Sequence, residues 1–257
     1  MAAFGNYDEL GIDIGDDHVA TVEIQRPPNN FFSFQLIRNL ADAIGALDDE
    51  ASCRAIVLCS QGRHFCAGAD FSGNGGEDRP GSLYEEAVRL FSTKTPVVGA
   101  IQGAAVGGGL GLALFPDFRV ASPEARFTAN FARLGFHHGF GLSATLPRIV
   151  GNQRALEMLY TGQRLTGEQA VAIGLADRLV PAEQLRDAAR EFAVDIAKSA
   201  PLALRSIRQT MRGDLAQAVK EATDHELEEQ SWLRKTNDFK EGVRSVAERR
   251  DGNWTAS

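Results

Sequence analysis

The stretch that most constrains this chain is Gly103-Ala104-Ala105-Val106-Gly107-Gly108-Gly109-Leu110-Gly111-Leu112, entered from the apolar run Pro96 to Ile101. An apolar run bounded by proline and glycine reads as a buried strand, and Leu110 to Leu114 reads as the start of a buried helix. With no side chains at the junction, the first backbone N–H groups of that helix lie bare, and the local dipole favours a negative oxygen that approaches them. Such a turn is a receptor for an anion or oxyanion, although three glycines before a helix also serve simply as a tight, closely packed turn. A second apolar strand, Ala55 to Ser60, runs into Gln61-Gly62-Arg63-His64-Phe65-Cys66-Ala67-Gly68-Ala69-Asp70. Two strand-to-loop junctions, each with an N–H beside glycine, are thereby placed to converge on one oxygen.

Composition narrows the field. At 257 residues, with 44% hydrophobic and 24% charged residues, the chain suits one large domain or a domain with a helical appendage. A net charge of −7 argues against nucleic-acid binding through phosphate contacts, and an anionic ligand would need a local basic patch. The three cysteines, Cys53, Cys59 and Cys66, are an odd number in one short segment and read as reduced core thiols. No set of Cys and His has zinc spacing, so neither a metal nor a separate cofactor is expected. No basic segment leads an apolar stretch at the N-terminus and no run approaches a membrane span, so a cytoplasmic protein without a membrane partner is expected.

Along the chain, Val19 to Ile24 alternates as a strand and ends at Arg26-Pro27-Pro28-Asn29-Asn30, a turn. Ser33 is placed to cap a helix carrying Ile37, Leu40, Ala41, Ile44 and Leu47, and the strand from Ala55 closes a strand–helix–strand unit. Residues 71–81 are polar and glycine-rich and read as a mobile loop. Ser82 with Glu85 forms the pattern of a capping box for the helix of Leu83, Ala87, Leu90 and Phe91. Further on, Asn152 opens a helix, Thr166 with Gln169 caps another that stops at Gly174, and Ala176 to Pro181 forms a short strand. Beyond Pro181 the pattern is helical: an amphipathic helix over 185–196, then helices opened by Pro201, by Asp214, and by Asp238 with Glu241.

Taken together, His64-Phe65-Cys66-Ala67-Gly68-Ala69-Asp70, the Gly103 to Gly109 run, Pro116 to Ala121, and Leu134-Gly135 through Leu146-Pro147-Arg148-Ile149-Val150-Gly151 resemble the crotonase, or enoyl-CoA hydratase/isomerase, family. Thr161 to Thr166, Gly174 to Asp177, Glu241-Gly242-Val243 and Glu248-Arg249-Arg250 extend the resemblance over nearly the whole chain. It implies an α/β fold in which strand–strand–helix turns stack as a crotonase-like spiral, residues 1–196, followed by a C-terminal helical region, residues 197–257, that serves oligomerisation and covers CoA. It also implies an acyl-CoA thioester as substrate, with CoA entering as part of that substrate, and a homotrimer or dimer of trimers. The backbone N–H groups of Ala69 and Gly108 would form the oxyanion hole. Arg26, Arg63, Ala67, Arg250 and Trp254 would contact CoA, and the loop and helix after Asp70 would flank the acyl pocket.

The chain departs from the family where proton transfer is decided. Hydratases of the family carry two glutamates, at positions that here are Gly111 and Phe131; isomerase-type and hydrolase-type relatives use acids at positions that here are Gly139 and Phe140. None of these moves a proton. Phe131 and Phe140 are instead expected to make the pocket floor apolar and keep water from that face. In their place stands Phe136-His137-His138-Gly139-Phe140, where neutral imidazole is a base and imidazolium an acid near pH 7. His138, more than His137, is the candidate for isomerisation or hydrolysis. Its alternatives are a histidine bonded to backbone at a helix start and, for the whole chain, a non-catalytic acyl-CoA-binding protein. His64 reads as a loop or CoA-edge residue, Cys66 as a core thiol, and Asp70 and Asp117 as caps.

Overall fold

The computed structural model describes residues 2–69 and 80–257. The apolar runs become a seven-stranded sheet in the order β1-β2-β3-β4-β5-β7-β10. Its strands are β1 (Ala2–Ala3), β2 (Leu10–Ile14), β3 (Val19–Ile24), β4 (Ala55–Ser60), β5 (Val97–Ile101), β7 (Phe118–Ala121) and β10 (Arg178–Leu179). The first two pairings are antiparallel, and from β3 onward the strands run parallel. Parallel neighbours need crossover connections, and the first is α1 (Phe34–Asp49), whose N-terminus is capped by the Ser33 hydroxyl accepting from Leu36 N–H.

Both faces of the central strands are covered, which explains why they read as continuous apolar runs. Ile56 and Leu58 of β4 face the main core with α1, while Ala55, Val57 and Cys59 face Leu185, Ala189, Ala193 and Ala197 of α6 (Leu185–Ala197). A second, three-stranded sheet is formed by β6 (Ala104–Val106), β8 (Arg126–Thr128) and β9 (Leu165–Thr166) in that order. The glycine run thus contains a strand that glycine content had hidden, and α3 (Gly108–Leu114) follows it directly.

Helices complete the molecule. They are α2 (Pro80–Phe91), α4 (Leu142–Thr161), α5 (Gly167–Ala172), α7 (Pro201–Arg212), α8 (Leu215–Leu233) and α9 (Asn237–Ala247). Helix α4 is broken at Gly151, φ 77° and ψ 158°, so its second half opens at Asn152 as the sequence implied. Thr166 and Gln169 form the expected capping box.

Two capping expectations are corrected. Helix α2 begins at Pro80, ahead of Ser82, because proline's fixed φ suits a first helical position; Asp70 and residues 71–79 of the expected loop lie outside the described residues. Asp214 stands at the N-cap position that opens α8, as expected, and pairs with Arg148 at 2.9 Å. The last helix is capped by the Thr236 hydroxyl, which accepts from Phe239 N–H, while the Asp238 carboxylate holds the amides of Thr255 and Ala256.

All three cysteines are free and buried. Desolvation pushes the thiols of Cys53 and Cys59 up to about 12 and that of Cys66 up to about 11. The reactive thiolate is therefore suppressed at neutral pH. A thiol reagent such as Ellman's is expected to titrate no cysteine rapidly in the native protein and all three in denaturant; fast native labelling would contradict this burial.

Candidate functional site

The two junctions are locked together by backbone hydrogen bonds. Cys66 N–H donates to Ala104 O at 2.9 Å and Val106 N–H to Cys66 O at 3.1 Å, so the loop after β4 runs as a parallel companion to β6. Asn30, fully buried with φ 48°, ties the turn after β3 to the same loop, its amide donating to Gln61 O and His64 O at 2.7 and 2.6 Å. Ala67 N–H donates to Asn29 O and Phe32 N–H to Gly68 O. Gly107 takes φ 57° and ψ −120°, a conformation open to glycine, and passes its own N–H to Thr128 O. Past these committed groups stand the N–H groups of Ala69 and Gly108, neither of which has an acceptor among the described residues.

Aromatic rings wall the space around the glycines. A Cβ on Gly108 would lie 2.5 Å from Phe32 Cζ, so Phe32 covers that residue directly. A Cβ on Gly111 would lie 2.6 Å from Phe140 Cβ and 2.7 Å from its Cδ1. The space a glutamate would need at 111 is thus filled by Phe140, which sits at φ 62° and meets Phe32 edge-on with ring centroids 5.8 Å apart. Phe131 packs on Phe136 at 5.4 Å, and a Cβ on Gly107 would stand 3.6 Å from Phe131 Cζ.

His138 lies on the far side of Phe131, with centroids 6.4 Å apart, and stacks on His137 at 4.1 Å. Its Nε2 is 2.8 Å from Ser143 Oγ and 3.9 Å from Oε1 of Glu226 on α8. Glu226 is fully buried and accepts the amides of Gly141 at 2.8 Å and Ser143 at 2.9 Å, capping α4 from another helix. Burial raises the Glu226 carboxyl above its ordinary range. Desolvation first, then His137 and His225, pulls His138 down to about 3. The imidazole is consequently neutral at physiological pH: it can accept or donate a hydrogen bond, but the imidazolium that a general acid requires is scarcely populated. Below it, Gln230 donates to the carbonyls of His137 and His138 at 3.1 Å each, and Tyr84 O–H donates to Gln230 Oε1 at 3.2 Å.

This two-sheet spiral with paired glycine junctions is matched by known proteins. The enoyl-CoA hydratase/isomerase family model matches residues 15–257. The chain belongs to the enoyl-CoA hydratase/isomerase family. It is 38% identical over 218 residues to a Mycobacterium bovis protein described as a probable enoyl-CoA hydratase, echA6, covering 83% of this chain and 87% of that one. It is 35% identical over 228 residues to another so described, EchA14 of Mycobacterium tuberculosis, covering 86% and 88%. Among solved structures, an enoyl-CoA hydratase/isomerase from Pseudoalteromonas atlantica T6c superposes with a TM-score of 0.86 at 26% identity, covering 96% of this chain and all of that one. An enoyl-CoA hydratase from Mycobacterium avium subsp. paratuberculosis K-10 gives 0.84 at 26%, covering 97% and all of that one.

The remaining candidates of this family member are scattered. Arg26 spends its guanidinium on Glu9 at 2.8 Å, Phe31 O at 2.7 Å and Ser33 Oγ at 3.1 Å, which holds the turn that presents Phe32. Arg63 and His64 line a cavity beside β6; His64 Nδ1 accepts Ala104 N–H at 3.0 Å, a loop staple. Arg250 pairs with Glu241 and Glu248, and Trp254, about half exposed, shares a separate cavity with Trp232. Asp117 accepts Val97 N–H and pairs with Arg208 and Arg212, a structural anchor. Phe32, Tyr84, Ser143, Glu226 and Gln230 are the residues of the site that sequence reading missed.

Two outcomes follow. Gly111→Glu alone is expected to destabilise the protein by about 1–3 kcal/mol through overpacking against Phe140, and Phe140→Ala in the same chain to relieve most of it, measured as urea midpoints. His138 binds no proton in the folded state until about pH 3, against about 6.5 when unfolded. The unfolded chain therefore takes up the extra proton in that window, and stability falls as pH drops from 6.5 toward 3. His138→Asn is expected to flatten this fall between pH 6.5 and 4; an unchanged slope would contradict the depressed histidine.

Proposed function

We propose that this protein binds an acyl-CoA thioester with the carbonyl oxygen held by the N–H groups of Ala69 and Gly108, and that it does not hydrate 2-enoyl thioesters at the rate of glutamate-bearing relatives. The observation that carries the reading is the pair of N–H groups beyond the Cys66–β6 ladder that have no acceptor among the described residues, beside a Gly111 whose side-chain space Phe140 fills. Two such donors polarise a thioester carbonyl and stabilise negative charge on its oxygen; where a reaction follows, removing one donor raises the barrier by about 3–4 kcal/mol. Isomerisation or hydrolysis would fall to His138 as a neutral base, held by its Ser143 hydrogen bond. Assembly as a homotrimer or dimer of trimers through residues 197–257 goes with this reading and suits the exposed Leu202, Ile207, Met211 and Trp232.

A second reading is favoured by one observation: His138 is held near 3, so its conjugate acid cannot complete a proton cycle at pH 7. The protein would then be an acyl-CoA carrier or sensor that keeps the hole and performs no turnover.

Incubation with crotonyl-CoA and a set of enoyl-, keto- and aryl-CoA thioesters, followed by thioester absorbance and product mass, tests both. No hydration of crotonyl-CoA is expected. Conversion of another thioester that His138→Ala abolishes, with acyl-CoA binding retained, supports the histidine-based enzyme. Binding of all with conversion of none supports the carrier, and crotonyl-CoA hydration at ordinary hydratase rates overturns both.

A further inference from the structure

Helix α8 carries the polar residues Thr223, Glu226 and Gln230 buried on one face, where a core-facing helix ordinarily presents apolar side chains. Buried polar groups need partners, and two of these three find theirs in a single segment, residues 137–143. Gln230 donates to the carbonyls of His137 and His138 and so holds the backbone of that pair. Glu226, one turn earlier, serves the ring instead. Its carboxylate takes the amides of Gly141 and Ser143, and its Oε1 stands 3.9 Å from His138 Nε2. Thr223 turns back to Lys220 O on its own helix.

The Ser143 hydroxyl links the two groups. Its oxygen is 2.8 Å from His138 Nε2. Burial raises the Glu226 carboxyl, and the Ser143 amide and hydroxyl are among the hydrogen bonds that oppose that rise. A hydroxyl has a single proton to give. Both Glu226 oxygens already accept a backbone amide at the start of α4, an arrangement that favours the carboxylate, and a carboxylate only accepts. The Ser143 proton therefore goes to Glu226, its oxygen accepts from His138, and the imidazole hydrogen sits on Nε2. Nδ1 keeps the lone pair and has no hydrogen-bond partner among the described residues.

We infer that Glu226, acting through the Ser143 hydroxyl, is a positioning residue that holds His138 as the Nε2–H tautomer and leaves Nδ1 as the atom that takes up a substrate proton. The inference rests on the histidine-based reading for its consequence in turnover, and adds to it which nitrogen is the base and what selects it. His137, stacked on the ring at 4.1 Å, holds its plane, so fixing the tautomer also fixes the direction of the lone pair.

Long-range ¹H–¹⁵N correlation spectra of the full chain labelled with ¹⁵N-histidine read the tautomer directly, with the His138 signals assigned by their loss in His138→Asn. At pH 7 a protonated Nε2 and an unprotonated Nδ1 are expected. Ser143→Ala removes the link but keeps both backbone amides on Glu226, and is expected to move the two ring nitrogens toward the averaged shifts of a free imidazole. Ser143→Thr keeps a hydroxyl and is expected to retain the native pattern. Glu226→Gln is expected to match Ser143→Ala; should it fail to fold, the two Ser143 variants carry the test. A native His138 with its proton on Nδ1, or a native pattern unchanged in Ser143→Ala, would overturn the proposal whatever the protein converts.

Turnover separates this inference from the reading beneath it. Where a thioester is converted, Ser143→Ala is expected to lower kcat about tenfold or more with KM little changed, part of the roughly 10²–10⁴ that a positioned base contributes, and Ser143→Thr to restore it. An unchanged kcat where the tautomer is lost would overturn the role given to Nδ1. A fixed tautomer with no thioester converted would support the positioning and count against the histidine-based enzyme.

Discussion

The site depends on a short parallel ladder between the loop after β4 and β6, made by Cys66, Ala104 and Val106. Backbone amides are obligatory donors, and a folded chain usually pairs them all. Here the ladder, the Asn30 knot and the Gly107–Thr128 bond consume the neighbouring donors and fix the path of both loops. The amides of Ala69 and Gly108 have no acceptor among the described residues. Because packed backbone rather than flexible side chains holds them, they need no reorganisation when an oxygen arrives, and this makes them worth more than the same groups in water.

Around those amides, aromatic rings fill the space beside the glycines. Phe140 fills the space above Gly111, Phe32 covers Gly108, and Phe131 stands near both Gly107 and His138. An apolar wall strengthens any hydrogen bond to the thioester carbonyl by excluding water, but it also disfavours charge. His138 registers that effect, its imidazole held neutral by burial and by the neighbouring histidines.

Much of the architecture was legible in the sequence because strand and helix periodicities are local. The buried runs at 55–60 and 97–101, the Ser33 cap and the Thr166 capping box each depend on residues within one turn or one strand. Strand β6 was hidden, since Ala104-Ala105-Val106 is too short to stand out between glycines and pairs through backbone alone. Asp238 was misread as a cap because its partners, the amides at the chain end at 255–256, are remote in sequence. Within the candidate site, the two glycine junctions could be read. The Ser143–His138–Glu226 cluster could not, because Glu226 lies 85 residues from the amide of Gly141 that it caps.

The central claim is that two backbone amides polarise a bound thioester whose double bond then meets no hydrating acid and base. The most direct measurement is the carbonyl stretching frequency of carbonyl-¹³C-labelled crotonyl-CoA, recorded by difference infrared spectroscopy before and after binding to the native protein. The account predicts a lowered frequency, as hydrogen bonding to two amides weakens the C=O bond, that persists unchanged over hours. A frequency equal to that of the free thioester in water, or a spectrum that decays into that of the 3-hydroxy product, would contradict it.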